Sequence, residues 1–223
     1  MAVHSPLAHL LVSPSQIINR RSRDFLAVKV PTVDVQLEGF PKGAITEIWG
    51  PASSGRTSLL NAFLSSATQQ EEYCAVVDGA DTFDPESAEA SGVNLNKLFW
   101  VRCGGSLEHA LKCTDLLIHG GGWGVVTLDL CDLPKSMLRK LPVSYWYRFL
   151  RAIEPTSTVM VTILSEPQVK NCALLSLEME CSETKWSGRS EDHMLFHGMD
   201  VSITPKKPAN SEMNVRLSIY SGL

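Results

Sequence analysis

No stretch of the 223 residues approaches the ~18 uninterrupted apolar positions of a membrane-spanning helix, so no membrane span is expected. The start of the chain has no apolar block of the kind that directs secretion. Pro6 and Pro14 interrupt the run at residues 7–12, and the pair Arg20, Arg21 is followed by no apolar region. The expected address is the cytoplasm. The chain also carries no CxxC pair. Its six cysteines (Cys74, Cys103, Cys113, Cys131, Cys172, Cys181) sit mostly among apolar neighbours. That argues against a disulfide framework or a zinc site, and for buried small hydrophobes in a reducing compartment. His193 and His197 are four apart, but the residues around them alternate as a strand does, which favours structural or exposed histidines over metal ligands. Nor is there a basic excess. Against 24 Asp and Glu stand 20 Lys and Arg, giving a net charge of -4. Any contact with DNA must therefore come from a local basic patch rather than from the field of the whole molecule. Internal repeats and low-complexity tracts are missing too. What remains, 44% hydrophobic and 20% charged residues, is the composition of a globular domain long enough to bury a sizeable core.

Residues 1–35 read as an N-terminal appendage, with a short apolar helix near residues 7–12, a basic stretch at 20–23 and an extended segment ending at Pro31. Residues 36–223 read as the core domain. Short continuous apolar runs at 44–49, 73–78, 98–102, 124–130 and 158–164 suit strands buried on both faces of a parallel sheet. Helical patterns separate them. The clearest opens at Ser106 as an N-cap, places Leu107, Ala110, Leu111, Leu117 and Ile118 on one face, and stops at Gly120–Gly122. Strand, helix, strand alternation of this length predicts an α/β fold with right-handed crossovers. Residues 173–181 and 214–220 alternate apolar and polar positions, as half-exposed antiparallel strands do, and residues 185–192 predict a mobile hairpin loop.

The stretch GPASSGRTSLL, residues 50–60, has the spacing of a phosphate-binding loop. In such a loop, glycines let the chain turn so that successive N–H groups point inward at phosphate oxygens, and the next helix adds the positive end of its dipole. Gly50, Gly55, Thr57 and Ser58 keep that spacing, with Ser53 and Ser54 inside the turn. Arg56 stands where the pattern has lysine. A wide planar guanidinium does not simply replace a compact ammonium in a tight loop. Two readings stay open: a weak or vestigial nucleotide site that binds phosphate without hydrolysis, or a plain strand-to-helix turn with Arg56 in solvent. Asp129, at the end of the fourth apolar run, is of the type that holds a magnesium ion beside such a loop, with Thr57 as its hydroxyl partner.

From about Phe40 to Ile163 these residues resemble the RecA family of recombinase ATPases. GFPKGAITEIWGPASSGRTSLL looks like that family's entry strand and loop. The segment from VVDGADTFDPESAEASGV to the helix at Ser106 looks like the family's next strand and crossover, and GVVTLDL like its magnesium-site strand. The resemblance implies a RecA-like, mostly parallel sheet flanked by helices, with antiparallel strands added at the C-terminal end and no recombinase C-terminal domain. It also implies an ATP and magnesium site, here of weak affinity. Three departures bear on catalysis. Ala80 holds the place of the glutamate that activates water in the family, and Asp81 is one residue on. Ser165 holds the place of the glutamine that senses the terminal phosphate. The DNA-binding loop is compressed to CDLPKSMLRKLP.

Among RecA-like branches the length and the segment from 132 to 164 are most similar to the ImuA (SulA-like) proteins of bacterial mutagenesis cassettes. That resemblance implies a non-hydrolysing accessory protein of damage-induced (SOS) translesion DNA synthesis. Its implied partners are an ImuB-like Y-family protein, RecA and an error-prone replicative polymerase, with single-stranded DNA as a weak ligand. A slow DNA-dependent ATPase and a RecA-fold inhibitor of cell division or recombination are the alternatives. For contact with DNA or a partner, the candidates are Lys135, Arg139, Lys140, Arg148 and Arg151, interleaved with Tyr145, Trp146, Tyr147 and Phe149. The competing reading is an amphipathic helix from Ser144 that packs Trp146, Phe149, Leu150 and Ile153 on the sheet and leaves the cations in water.

Overall fold

The computed structural model describes residues 24–187, 195–208 and 215–220. The expected helix at 7–12, the basic stretch at 20–23 and His193 lie outside them. Where an extended segment was expected to end at Pro31, a helix begins. Strand β1 (Phe25–Leu26) pairs antiparallel with β2 (Phe40–Pro41), and α1 (Pro31–Leu37) spans the gap between them. Proline suits the first helical turn because its missing N–H has no intrahelical partner to lose. Leu26, Val28 and Val33 are buried, so this segment packs in the core.

The apolar runs become β3 (Ala44–Trp49), β4 (Cys74–Asp78), β5 (Leu98–Arg102), β6 (Val125–Asp129) and β7 (Val159–Leu164). Helix α2 (Arg56–Gln69) links β3 to β4, and α3 (Pro85–Ala90) with a single 3-10 turn links β4 to β5. Helix α4 (Leu107–Gly120) links β5 to β6, and α5 (Lys135–Leu138) with α6 (Val143–Ile153) links β6 to β7. The remaining strands are β8 (Ala173–Ser187), β9 (Leu195–Lys207) and β10 (Val215–Tyr220). The sheet order is β10-β9-β8-β3-β7-β6-β4-β5. Every pairing from β8 through β5 is parallel, while β9 and β10 are added antiparallel.

Two apolar layers hold the fold. Leu59, Leu60, Phe63 and Leu64 of α2 pack with Val33 and Ile48 on one face. Ala110, Leu111 and Ile118 of α4 and Trp146, Phe149 and Ile153 of α6 pack with Ile45 and Val126 on the other. Strands buried on both faces have no room for alternation, which is why the central runs are continuously apolar. At Ser106 the expected cap forms, its Oγ accepting the His109 N–H at 3.3 Å.

β8 corrects one expectation. Its first half pairs parallel with β3 (Ile45↔Ala173 to Trp49↔Glu178), and only its other side meets β9 antiparallel. Alternation reports which face is covered, not the direction of the neighbour. Residues 185–187, expected in a loop, continue β8, and 188–192 lie outside the described residues.

Candidate phosphate-binding site

β3 delivers the chain to its C-terminal end at Trp49, and residues 50–55 turn it into α2. Gly50 is required by a close approach, since a methyl there would lie 2.1 Å from the Met179 carbonyl oxygen of β8. Gly55 is required by its left-handed φ of 85° and by Val201 and Ile219, whose methyls would come within 2.9 Å of an added side chain. No side chain caps α2. Its first N–H groups are therefore left for another acceptor, which is what an anion needs at a helix start. Ser53 takes a left-handed φ of 58° and is exposed with Thr57; Ser58 is half-buried. Ser54 is buried, and its Oγ has no hydrogen-bond partner among the described residues.

Arg56 is not in solvent, where the plain-turn reading has it. It is 8% exposed, and its Nη1 donates to the Leu164 carbonyl at 2.6 Å. The same carbonyl accepts the Gly50 N–H at 3.3 Å. The guanidinium is thus tied to the end of β7, not turned to solvent. Among the described residues no carboxylate forms an ion pair with it. A buried cation with only a carbonyl acceptor, beside uncapped N–H groups and an unpartnered hydroxyl, makes the base of this loop electropositive.

The neighbouring strand ends carry the other candidates. Ala80 packs half-buried against the α4 and α6 layer, and a methyl group neither accepts a proton nor orients water. Asp81 is committed elsewhere. It takes a left-handed φ of 60°, accepts the Gly104 N–H at 3.0 Å and meets Arg102 Nη2 at 3.2 Å. The Gly104 N–H first, and Arg102 after it, hold its carboxyl below the usual range. A carboxylate so engaged is a poor base. Asp78 is buried and accepts the N–H groups of Thr82 and Phe83 and the indole N–H of Trp100, a purely structural set. Ser165 has a buried Oγ without a partner among the described residues.

Asp129 accepts the Cys131 N–H at 3.0 Å. Burial pushes its carboxyl up to about 6, against the pull of that N–H, with Asp78 and Asp132 adding to the rise. Such a group favours folding fully below its unfolded value near 3.8, and that advantage is lost as pH rises through about 6. The shift corresponds to about 3 kcal/mol, and the partial exposure of the residue lowers this to about 1–2 kcal/mol. Asp129→Asn is therefore expected to stabilise the fold by about 1–2 kcal/mol at neutral pH, with the gain fading below pH ~4, as urea unfolding across pH will measure. Thr57 and Asp129 are hard oxygen donors of the kind magnesium takes, and they fit that ion in type.

Glu47 is the one charged residue in the apolar run of β3. It is 2% exposed. Its Oε1 accepts the N–H groups of Gln168 and Val169, each at 2.7 Å, and its Oε2 accepts the Ser176 hydroxyl at 2.8 Å. The Trp49 indole N–H reaches Ser176 at 3.1 Å. This network ties the turn after β7 to the strand that carries the loop. A lone charge inside a buried run was the available signal.

The basic candidates gather on α5, the turn after it, and α6. Lys135 and Arg139 approach Glu166 at 3.7 and 3.8 Å. Arg148 pairs with Asp115 of α4, and Lys140 and Arg151 are exposed. Trp146 and Phe149 are buried, while Tyr147 is exposed. His197 meets Ser187. Among the described residues no cluster of His, Cys, Asp or Glu is built to hold a metal, and no helix is long and apolar enough to cross a membrane.

A family model described as RecA N-terminal domain matches residues 22–136. The chain is similar to protein RecA of Rickettsia canadensis (strain McKiel), 40% identical over 100 residues, which is 44% of this chain and 29% of that protein. It is likewise similar to protein RecA of Pseudomonas fluorescens (strain SBW25), 40% identical over 91 residues, 41% of this chain and 26% of the other. The match thus spans less than a third of the length of these curated relatives.

Proposed function

The chain belongs to the RecA family, and from that premise we propose that it is an accessory protein of error-prone translesion DNA synthesis that binds nucleotide weakly, does not hydrolyse it, and works through protein contacts. The observation that carries the reading is at the end of β4. Where the family resemblance calls for a glutamate there is Ala80, and the adjacent Asp81 is engaged by Gly104 and Arg102. No other carboxylate of that strand end is free, since Asp78 is filled by three donors.

Each part of the loop has its own task. The first N–H groups of α2 and the Ser54 hydroxyl donate to a polyphosphate, and Arg56 supplies positive potential from the loop's base. Thr57 and Asp129 would hold a magnesium ion, which would supply neutralisation of phosphate charge. At the end of β4, where the family resemblance places the group that activates water, Ala80 has no carboxylate and Asp78 and Asp81 are engaged by other donors. Hydrolysis by a RecA-type site needs that activation, so the outcome is binding without turnover. Implied partners are an ImuB-like Y-family protein, RecA and an error-prone replicative polymerase, with single-stranded DNA as a weak ligand.

Calorimetry with ATP and magnesium is expected to give binding in the micromolar range, and a phosphate-release assay with single-stranded DNA no turnover above background. Turnover at the rate of an active recombinase, abolished by Asp129→Ala, would overturn the reading. So would failure to co-purify with an intact ImuB-like partner at micromolar concentration.

A further inference from the structure

We propose that the outer face of α6, with Lys140 just ahead of it, is a docking surface for an acidic, apolar-containing segment of a partner protein; this rests on the reading of the chain as one that acts through protein contacts. Between Asp132 and Glu154 the sequence holds Lys135, Arg139, Lys140, Arg148 and Arg151 and not one Asp or Glu. This span therefore carries five of the chain's 20 Lys and Arg with no acid among them, a local positive excess in a chain of net charge -4. The inner stripe of α6, Trp146, Phe149 and Ile153, is buried. The opposite stripe, Ser144, Tyr147, Arg148 and Arg151, has three- and four-residue spacing and is exposed, with Tyr147 46% accessible. Arg148 is partly neutralised by Asp115. Lys140 and Arg151 form no ion pair among the described residues.

The face therefore offers Arg151 one turn from the exposed Tyr147 ring, with Lys140 three residues ahead of the helix and the exposed Glu154 closing the stripe at its C-terminal end. Tyrosine flanked by arginine is the composition that dominates the energetics of protein interfaces. Single-stranded nucleic acid is disfavoured because its bases need successive rings to stack on, and Trp146 and Phe149 are taken by the core. A long polyanion also meets Asp115, Glu166 and the acidic remainder of the chain. A compact acidic segment engages only what lies within a Debye length of about 8 Å at physiological ionic strength.

The test is fluorescence anisotropy of the full chain at physiological ionic strength with two probes: a labelled glutamate-rich peptide containing leucines, and an oligothymidylate of equal charge. Preferential binding of the peptide is expected, weakened about tenfold by Tyr147→Ala with Arg151→Glu, and again by Lys140→Glu, each with an unchanged melting curve. Equal or tighter binding of the oligonucleotide makes the face a nucleic-acid surface and overturns the proposal. Absence of peptide binding overturns it too, as does indifference to those substitutions. Failure to associate with an ImuB-like protein would instead strike the functional reading alone.

Discussion

Glu47→Ala is expected to destabilise the protein by about 3–5 kcal/mol, measured by urea unfolding. The side chain is 2% exposed and satisfies three donors, two of them backbone N–H groups at the turn after β7. Truncation leaves the buried Val169 N–H and Ser176 hydroxyl and the part-buried Gln168 N–H without this acceptor, and each fully buried group so orphaned costs about 1–3 kcal/mol. Glu47→Gln separates charge from hydrogen bonding. Both N–H groups converge on Oε1, which an amide oxygen reproduces, so only the Ser176 contact is disturbed and the cost falls to about 1 kcal/mol. Equal losses in the two variants would show that the negative charge, rather than the acceptor oxygen, is what the turn requires. The same turn comes after Leu164, whose carbonyl holds Arg56 and Gly50. Glu47→Ala is therefore also expected to loosen the base of the loop, read as faster amide exchange at Gln168, Val169 and Gly50.

Much of the sheet was legible because its strands are buried on both faces, and burial on both faces leaves a contiguous apolar block. The blocks at 44–49 and 98–102 coincide with β3 and β5, and that at 158–164 is one residue longer than β7. Ser106 and the glycines after Ile118 bounded α4 because caps are local and need no tertiary partner. The errors are long-range. The parallel partner of β8 lies some 130 residues earlier in β3, and no local pattern encodes it. The buried setting of Arg56 depends on a carbonyl 108 residues away. At the site, Gly50, Gly55 and Asp129 could be placed by spacing. The commitment of Asp81 to Gly104 could not, because it depends on a left-handed residue meeting the turn after β5. Spacing in the sequence thus names candidate residues, and packing determines which of them are engaged by neighbours.

That distinction governs the aromatic helix, where neighbouring residues look alike in sequence and differ entirely in setting. Trp146→Ala is expected to cost about 3–5 kcal/mol, since the indole is 1% exposed and meets Phe149 edge-on with ring centroids 6.1 Å apart. Tyr147→Ala, one residue on and 46% exposed, is expected to stay within about 0.5 kcal/mol. The pair decides what the aromatics of α6 are for. If the helix were a stacking track for bases, Trp146 would have to leave the core, and its truncation would weaken oligonucleotide binding while sparing stability. With Trp146 in the core, its truncation leaves a cavity between α6 and the sheet. The loss then registers in thermal and urea unfolding, while the Tyr147 variant keeps its stability and changes only what the outer face binds.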